Sequence, residues 1–187
     1  MPIFETERKV KIDPVKVGLV GLAQGSFSDD KYRVYEDSWK GLKDLSESWG
    51  FELIREEELL IENSDAVKAS KRMNEKDVDL LIAQSSSFAS GDLIPILAEV
   101  DADLILWGMP ETEEKGPLPL NSFCGANMNM NVLREGGFTL PPGSWLYGMP
   151  DSDIFQRNFG IALKTARSIK NMQDARIGLV INPAPGF

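Results

Sequence analysis

The chain has 187 residues, 42% hydrophobic and 26% charged, with a formal net charge of −9. This length suits one compact domain, or one domain and the opening of another, and the acidic balance disfavours nucleic acid and anionic membrane as partners. With a single cysteine, Cys124, it can form no intrachain disulfide, and with no histidine it excludes any His-based triad or His-ligated metal site of its own.

Val15–Leu22 is a β-rich apolar run bounded by Pro14 and the turn-like Gln24-Gly25-Ser26. Gly18 and Gly21 within it match neither the dinucleotide nor the Walker phosphate motif, which points to close helix packing. A helix follows, capped by Asp29 or Asp30, running to Trp49 with Val34, Leu42 and Leu45 on a face shared with Trp39 and Trp49. Gly50 ends it. Phe51–Arg55 alternates as a short second strand, and Asn63 or Ser64 caps a second helix to about Lys76.

Asp79–Ala83 is a third strand, continuously apolar after Asp79, as for a strand covered on both faces. A small-residue loop, Gln84–Gly91, leads to a third helix from Asp92 to Val100. Asp103–Trp107 is the fourth strand. A Pro-rich charged loop then delivers Asn121, Ser122 and Cys124 to a helix that runs to Glu135 and ends at Gly136-Gly137. Ser144–Tyr147 forms a short fifth strand, and Ser152 starts a long helix with Ile154, Phe155, Phe159, Ala162, Leu163 and Ala166 in helical phase. Arg176–Ile181 reads as a further strand. We therefore expect a first domain over residues 1–172 and the start of a second α/β domain over 173–187.

Alternating βα units predict a Rossmann/flavodoxin-like three-layer α/β sandwich with a mostly parallel five-stranded sheet. Flavodoxin-like order puts the switch point between the first and third strands, and ligands bind outside the carboxyl ends of such strands. The loops at Gln24, Ser85–Ser90 and Met109–Cys124 would gather there.

Each candidate residue has two readings. The neutral amide of Gln24 donates and accepts at once, as sugar hydroxyls require, or it bonds local backbone in a turn. The hydroxyls of Ser85–Ser87 suit a polyol or phosphate, or a capping loop. With no base beside them, they make poor nucleophiles. Trp107 offers a ring face to a sugar's C–H surface, or fills the sheet's edge. Glu111, Glu113 and Glu114 stand with Lys115 in a charged tip. Cys124 lies near a helix start, but the absence of a base favours a small buried packing residue. The Asn127–Asn131 run of amides and methionines is helical and can line an interface.

Leu106-Trp-Gly108 with Pro110 and Pro117, the Pro110-Glu111 pair, Asn121-Ser-Phe-Cys-Gly125, Gln24 after the first strand, and Arg176–Val180 with Pro185-Gly-Phe187 resemble the first domain and second-domain start of the L-fucose/L-arabinose isomerase family. The resemblance implies aldose–ketose interconversion through an ene-diol, with manganese polarising the sugar oxygens and carboxylates moving the proton. It also implies a homo-oligomer in which this domain helps close a neighbour's pocket. In that family the metal ligands lie in later domains, so none is carried over. This chain would be silent alone, contributing a pocket wall of Gln24, Ser86, Phe88, Trp107, Glu111 and Asn121 for an aldose or ketose. The family's fucose branch has aromatic residues where this chain has Ser85–Ser87, with Phe88 in place of its tyrosine, so the sugar itself is not carried over. The N-terminus has no signal-like apolar core, and no run approaches the ~20 residues of a membrane helix. The expected location is the cytoplasm. A stand-alone sugar-binding module of flavodoxin-like fold is the alternative, and a phosphate-binding enzyme using Ser85–Ser90 a third reading.

Overall fold

The computed structural model describes residues 13–113, 115–173 and 175. The strand expected at 176–181, and with it the start of a second domain, lies outside them. In chain order the elements are β1 (Lys16–Leu22), α1 (Asp30–Trp49), β2 (Glu52–Arg55), α2 (Asn63–Glu75), β3 (Leu80–Ser85), α3 (Leu93–Leu97), β4 (Asp103–Gly108), α4 (Ser122–Glu135), β5 (Trp145–Tyr147) and α5 (Asp153–Gln173). The five strands form one sheet in the order β2-β1-β3-β4-β5. Every pairing among the described residues is parallel, so the sheet has the flavodoxin-like order expected.

Right-handed crossovers explain the layers. The β1-to-β2 connection moves one way along the sheet and the later ones move the other way, so α1 falls on the face opposite α2, α3 and α4. One core packs α1 and α5 on the sheet through Leu42, Leu45, Phe155, Phe159 and Leu163. The other packs α2, α3 and α4 through Ala66, Ala69, Met73, Leu93, Ile94 and Leu133. Each large apolar side chain removed from water contributes about 1.5–3 kcal/mol. Both cores meet the sheet where its glycines are. A Cβ on Gly21 would lie 2.5 Å from Leu59 Cδ2 and 2.7 Å from Tyr35 Cδ2. The glycines of β1 thus admit neighbouring side chains, as the sequence suggested.

Several helix details differ from expectation. Asp29 caps α1 with no side-chain bond, and the Asp30 amide instead donates to Ser28 Oγ at 3.2 Å. The N-cap of α2 is Glu62, not Asn63 or Ser64. Asp65 reaches back to the Glu62 amide at 3.1 Å, so a carboxylate one turn inside supplies the closing bond. α3 spans only Leu93–Leu97. Ala98–Val100 turn away from the helix, with the Val100 amide donating to Leu97 O at 3.2 Å. On α5, Ile154 is exposed while Phe155, Phe159, Leu163 and Ala166 are buried.

At the amino ends of the strands, Asp79 accepts from the Lys16 amide and from Lys170 Nζ, each at 2.7 Å, which ties β1, β3 and α5 together. No helix among the described residues is long and apolar enough to cross a membrane.

Candidate functional site at the carboxyl edge of the sheet

The loops after β1, β3 and β4 meet along the carboxyl edge. The Gln24 amide donates to Ser87 Oγ at 3.1 Å, and the Phe88 amide donates to Leu120 O at 2.7 Å. Thr112 Oγ1 donates to Asp30 Oδ2 at 3.2 Å, joining the β4–α4 loop to the start of α1. The start of α4 sits so close to the β3–α3 loop that a Cβ on Gly125 would stand 3.1 Å from Phe88 Cα.

Beneath this edge lies a buried polar network. Gln84 Nε2 donates to Ser38 Oγ at 2.6 Å and to Met109 Sδ at 3.0 Å, while Gln84 Oε1 accepts from Ser86 Oγ at 2.8 Å. Ser122 Oγ donates to Ser85 O and accepts the Met109 amide at 2.7 Å. Buried polar groups need such partners, and their mutual satisfaction fixes the three loops relative to one another.

This accounting sorts the six residues expected to form a sugar wall. Ser86 is fully buried with its hydroxyl turned onto Gln84. Trp107 is 0% exposed; its indole N–H donates to Gly148 O at 2.9 Å and its ring packs 4.7 Å from Phe155, so it fills the core. Glu111 closes the start of α4, with Oε2 accepting the Leu120 amide at 2.9 Å and Oε1 the Ser122 amide at 3.3 Å.

The other three face outward. Gln24 is exposed, and its side-chain amide makes no hydrogen bond among the described residues. Asn121 occupies the N-cap position of α4 at φ 49°, ψ 35°, a left-handed conformation that asparagine tolerates best after glycine. Its side chain makes no cap bond, since Glu111 does that work instead. Phe88 is half-buried and stacks on Phe27, ring centres 6.0 Å apart. The pair forms an apolar shelf beside Gln24.

Cys124 is exposed, not a buried packing residue. The inward face of α4 is Ser122, Gly125, Ala126, Asn129 and Leu133, which puts Cys124 on the opposite side.

Sequence reasoning missed Phe27 and Lys31. Phe27 signals itself only as an aromatic in a polar turn. Lys31 falls in phase with the inward stripe of Val34, Tyr35, Ser38, Leu42 and Leu45, and the structure buries it there at 1% exposure.

Asp30, Glu36, Glu56 and Glu57 each face an arginine. Hydrogen bonds from Arg33 and Ser28 hold the Asp30 carboxyl below its ordinary range. Arg55 lies between Glu36 and Glu57, which raise its already high pKa. Burial lifts Glu56 above its ordinary value, against the pull of Arg72. The outward groups Gln24 and Asn121 are neutral amides, suited to ordering hydroxyls rather than moving protons. Among the described residues, no three His, Cys, Asp or Glu side chains gather as a metal-binding group. A manganese site therefore does not fit the side chains described here, and no step through the metal is assigned to them.

No protein-family model matches the chain. Sulfoquinovose isomerase of Alkalicoccus urumqiensis is 32% identical over 110 residues, which cover 58% of this chain and 24% of that protein. Sulfoquinovose isomerases of Priestia aryabhattai and Priestia megaterium (strain ATCC 12872 / QMB1551) are each 31% identical over 124 residues, 66% of this chain and 26% of theirs. The match thus spans about a quarter of the length of these curated relatives.

Among solved structures, RosB with a bound 8-demethyl-8-formylriboflavin-5'-phosphate intermediate is similar at TM-score 0.42 and 12% identity, covering 92% of each chain. An ABC-transporter solute-binding protein from Burkholderia multivorans is similar at TM-score 0.39 and 10% identity, covering 72% of this chain and 60% of that one. These likenesses are too distant to carry an argument, and the fold description rests on the chain's own topology.

Proposed function

We propose that this chain is a substrate-side α/β domain of a sugar isomerase that interconverts an aldose and a ketose. The observation that carries the reading is the 31–32% identity to sulfoquinovose isomerases. The outward amides of Gln24 and Asn121 support it, because an amide pairs with a hydroxyl as both donor and acceptor. The Phe27–Phe88 shelf supports it too, since an aromatic face suits a sugar's C–H surface.

In aldose–ketose exchange a proton leaves C2 and returns to C1 through an ene-diol, while the carbonyl moves from C1 to C2. This domain's part is to orient hydroxyls and exclude water. Gln24, Asn121 and Phe88 form the wall, and Ser86, Trp107 and Glu111 hold it from beneath. Proton transfer and a divalent metal, expected to be manganese, belong to residues outside this chain. In a homo-oligomer, the wall closes a pocket completed by a neighbouring subunit.

The test is to assay the intact protein that carries this chain against sulfoquinovose, L-fucose, L-arabinose and D-glucose, with and without manganese. Manganese-dependent ketose formation, with sulfoquinovose the first sugar to try, is the expected result. Failure to convert any of these sugars under either condition overturns the reading.

A further inference from the structure

Lys31 is an anomaly in the fold. It lies in the first turn of α1, one residue past the helix start, yet its side chain is 1% exposed. Burying an ammonium is strongly unfavourable unless acceptors surround it. Those acceptors come from the preceding loop. Nζ donates to Phe27 O at 2.7 Å, to Ser28 O at 3.3 Å and to Asp29 Oδ1 at 3.5 Å. Two of the three are main-chain carbonyls, and the one carboxylate is 95% exposed, so water weakens its share. Nζ also lies 4.8 Å from the centre of the Tyr32 ring, so the charge is held by that ring face and by the carbonyls of the Phe27–Asp29 backbone, which the charge in turn gathers.

That backbone leads directly to the candidate wall. The Phe27 amide donates to Gln24 O at 3.2 Å, closing the turn that displays Gln24. The Phe27 ring stacks on Phe88, which belongs to the β3–α3 loop. An arrangement built only for stability would more cheaply place an apolar side chain at this phase of α1, where Val34, Tyr35 and Leu42 already sit. A cation that gathers loop carbonyls does something an apolar residue cannot, because it dictates one conformation of the turn.

We infer that Lys31 is a positioning residue for the sugar wall: its buried ammonium pins the Gln24–Phe27 turn and the Phe27–Phe88 shelf in their binding geometry. The role at the sugar rests on the isomerase reading proposed above. The pin itself is measurable without any sugar.

The experiment compares Lys31→Met with wild type in the intact protein by two readouts. The first is hydrogen exchange of the Phe27 and Asp30 amides, which are bonded to Gln24 O and Ser28 Oγ. The second is kcat and KM for whichever sugar the wild type converts. Methionine keeps the apolar stem and removes the donors. Exchange of the Phe27 and Asp30 amides, both bonded within this loop, should accelerate roughly tenfold or more, with α1 beyond its first turn unchanged. KM should rise roughly three- to tenfold while kcat stays within about twofold, the pattern of lost ground-state binding. Lys31→Gln, which keeps a donor for the Phe27 carbonyl, should fall between the two.

Unchanged exchange in the turn overturns the proposal, as does a parallel fall in kcat with loosening throughout α1. Loss of folding in both variants marks a general structural role and overturns it too. A wild type that converts no sugar overturns the isomerase reading and the positioning role with it, while the exchange data still report separately whether the pin exists.

Discussion

The β4–α4 loop and the β1–α1 loop stand side by side on the carboxyl edge, joined by the Thr112–Asp30 hydrogen bond, and they use their polar groups in opposite ways. The β4–α4 loop and the element ends that flank it carry the denser sequence pattern, with Trp107, glutamates, Asn121, Ser122 and Cys124. Three of these residues, Trp107, Glu111 and Ser122, are turned inward. Trp107 is bonded to Gly148 O, Glu111 closes α4, and Ser122 bridges Ser85 O and the Met109 amide. The β1–α1 loop looks plainer, yet it exposes Gln24 and presents the Phe27 ring on a turn held from below by a buried lysine. A pattern-rich loop can thus be scaffolding, and an ordinary turn can carry the free groups. The deciding quantity is which donors and acceptors the fold has already consumed.

That contrast can be broken by mutation, and the largest effect belongs to the scaffold. Trp107→Ala removes a fully buried ring and leaves the Gly148 carbonyl without its donor. A stability loss of about 3–5 kcal/mol is expected in urea unfolding. A loss under about 1 kcal/mol would show that the ring is not core and reopen its reading as a ligand face.

Ser122→Ala should cost about 1–3 kcal/mol by the same measurement, because the buried Met109 amide loses its acceptor. It is expected to leave the β1–α1 turn's hydrogen exchange unchanged; loosening there would mean that the two loops are one unit.

The smallest effect concerns their junction. The Asp30 carboxyl is held below its ordinary pKa of 3.8, chiefly by Arg33 and also by Ser28. A folded-state pKa below the unfolded one favours the fold above the ordinary value, and that advantage disappears as pH falls through the depressed one. Asp30→Asn should therefore flatten the acid limb of the stability profile and converge with wild type at the lowest pH. A constant offset at every pH would assign the junction to packing instead.

Much of the fold was legible in the sequence because its central strands β1, β3 and β4 are largely apolar runs punctuated by turn residues, as a parallel sheet covered on both faces requires. The face on which each helix packs then follows from right-handed crossovers. The misreadings have a common cause in apolar phase. The inward face of α4 includes Ser122, Gly125 and Asn129, small and polar, so the neighbouring Cys124 suggested the wrong side. On α1 the inward stripe includes Lys31 and Ser38. The expected end of α3 lies too far along the chain because Ala98, Glu99 and Val100 carry no helix breaker, although the chain turns there. At the candidate site, the sequence identified the edge and three residues that face outward. It could not separate these from Ser86, Trp107 and Glu111, because hydrogen-bond partners distant in sequence decide that difference.

The most direct test is the kinetics of Gln24→Ala in the intact protein against the sugar that the wild type converts. If the β1–α1 turn is a substrate wall on an isomerase, KM rises severalfold, roughly three- to tenfold, and kcat stays within about twofold, since a neutral amide that binds hydroxyls contributes affinity rather than proton transfer. An unchanged KM would contradict the account, placing the sugar elsewhere and leaving this edge a structural surface.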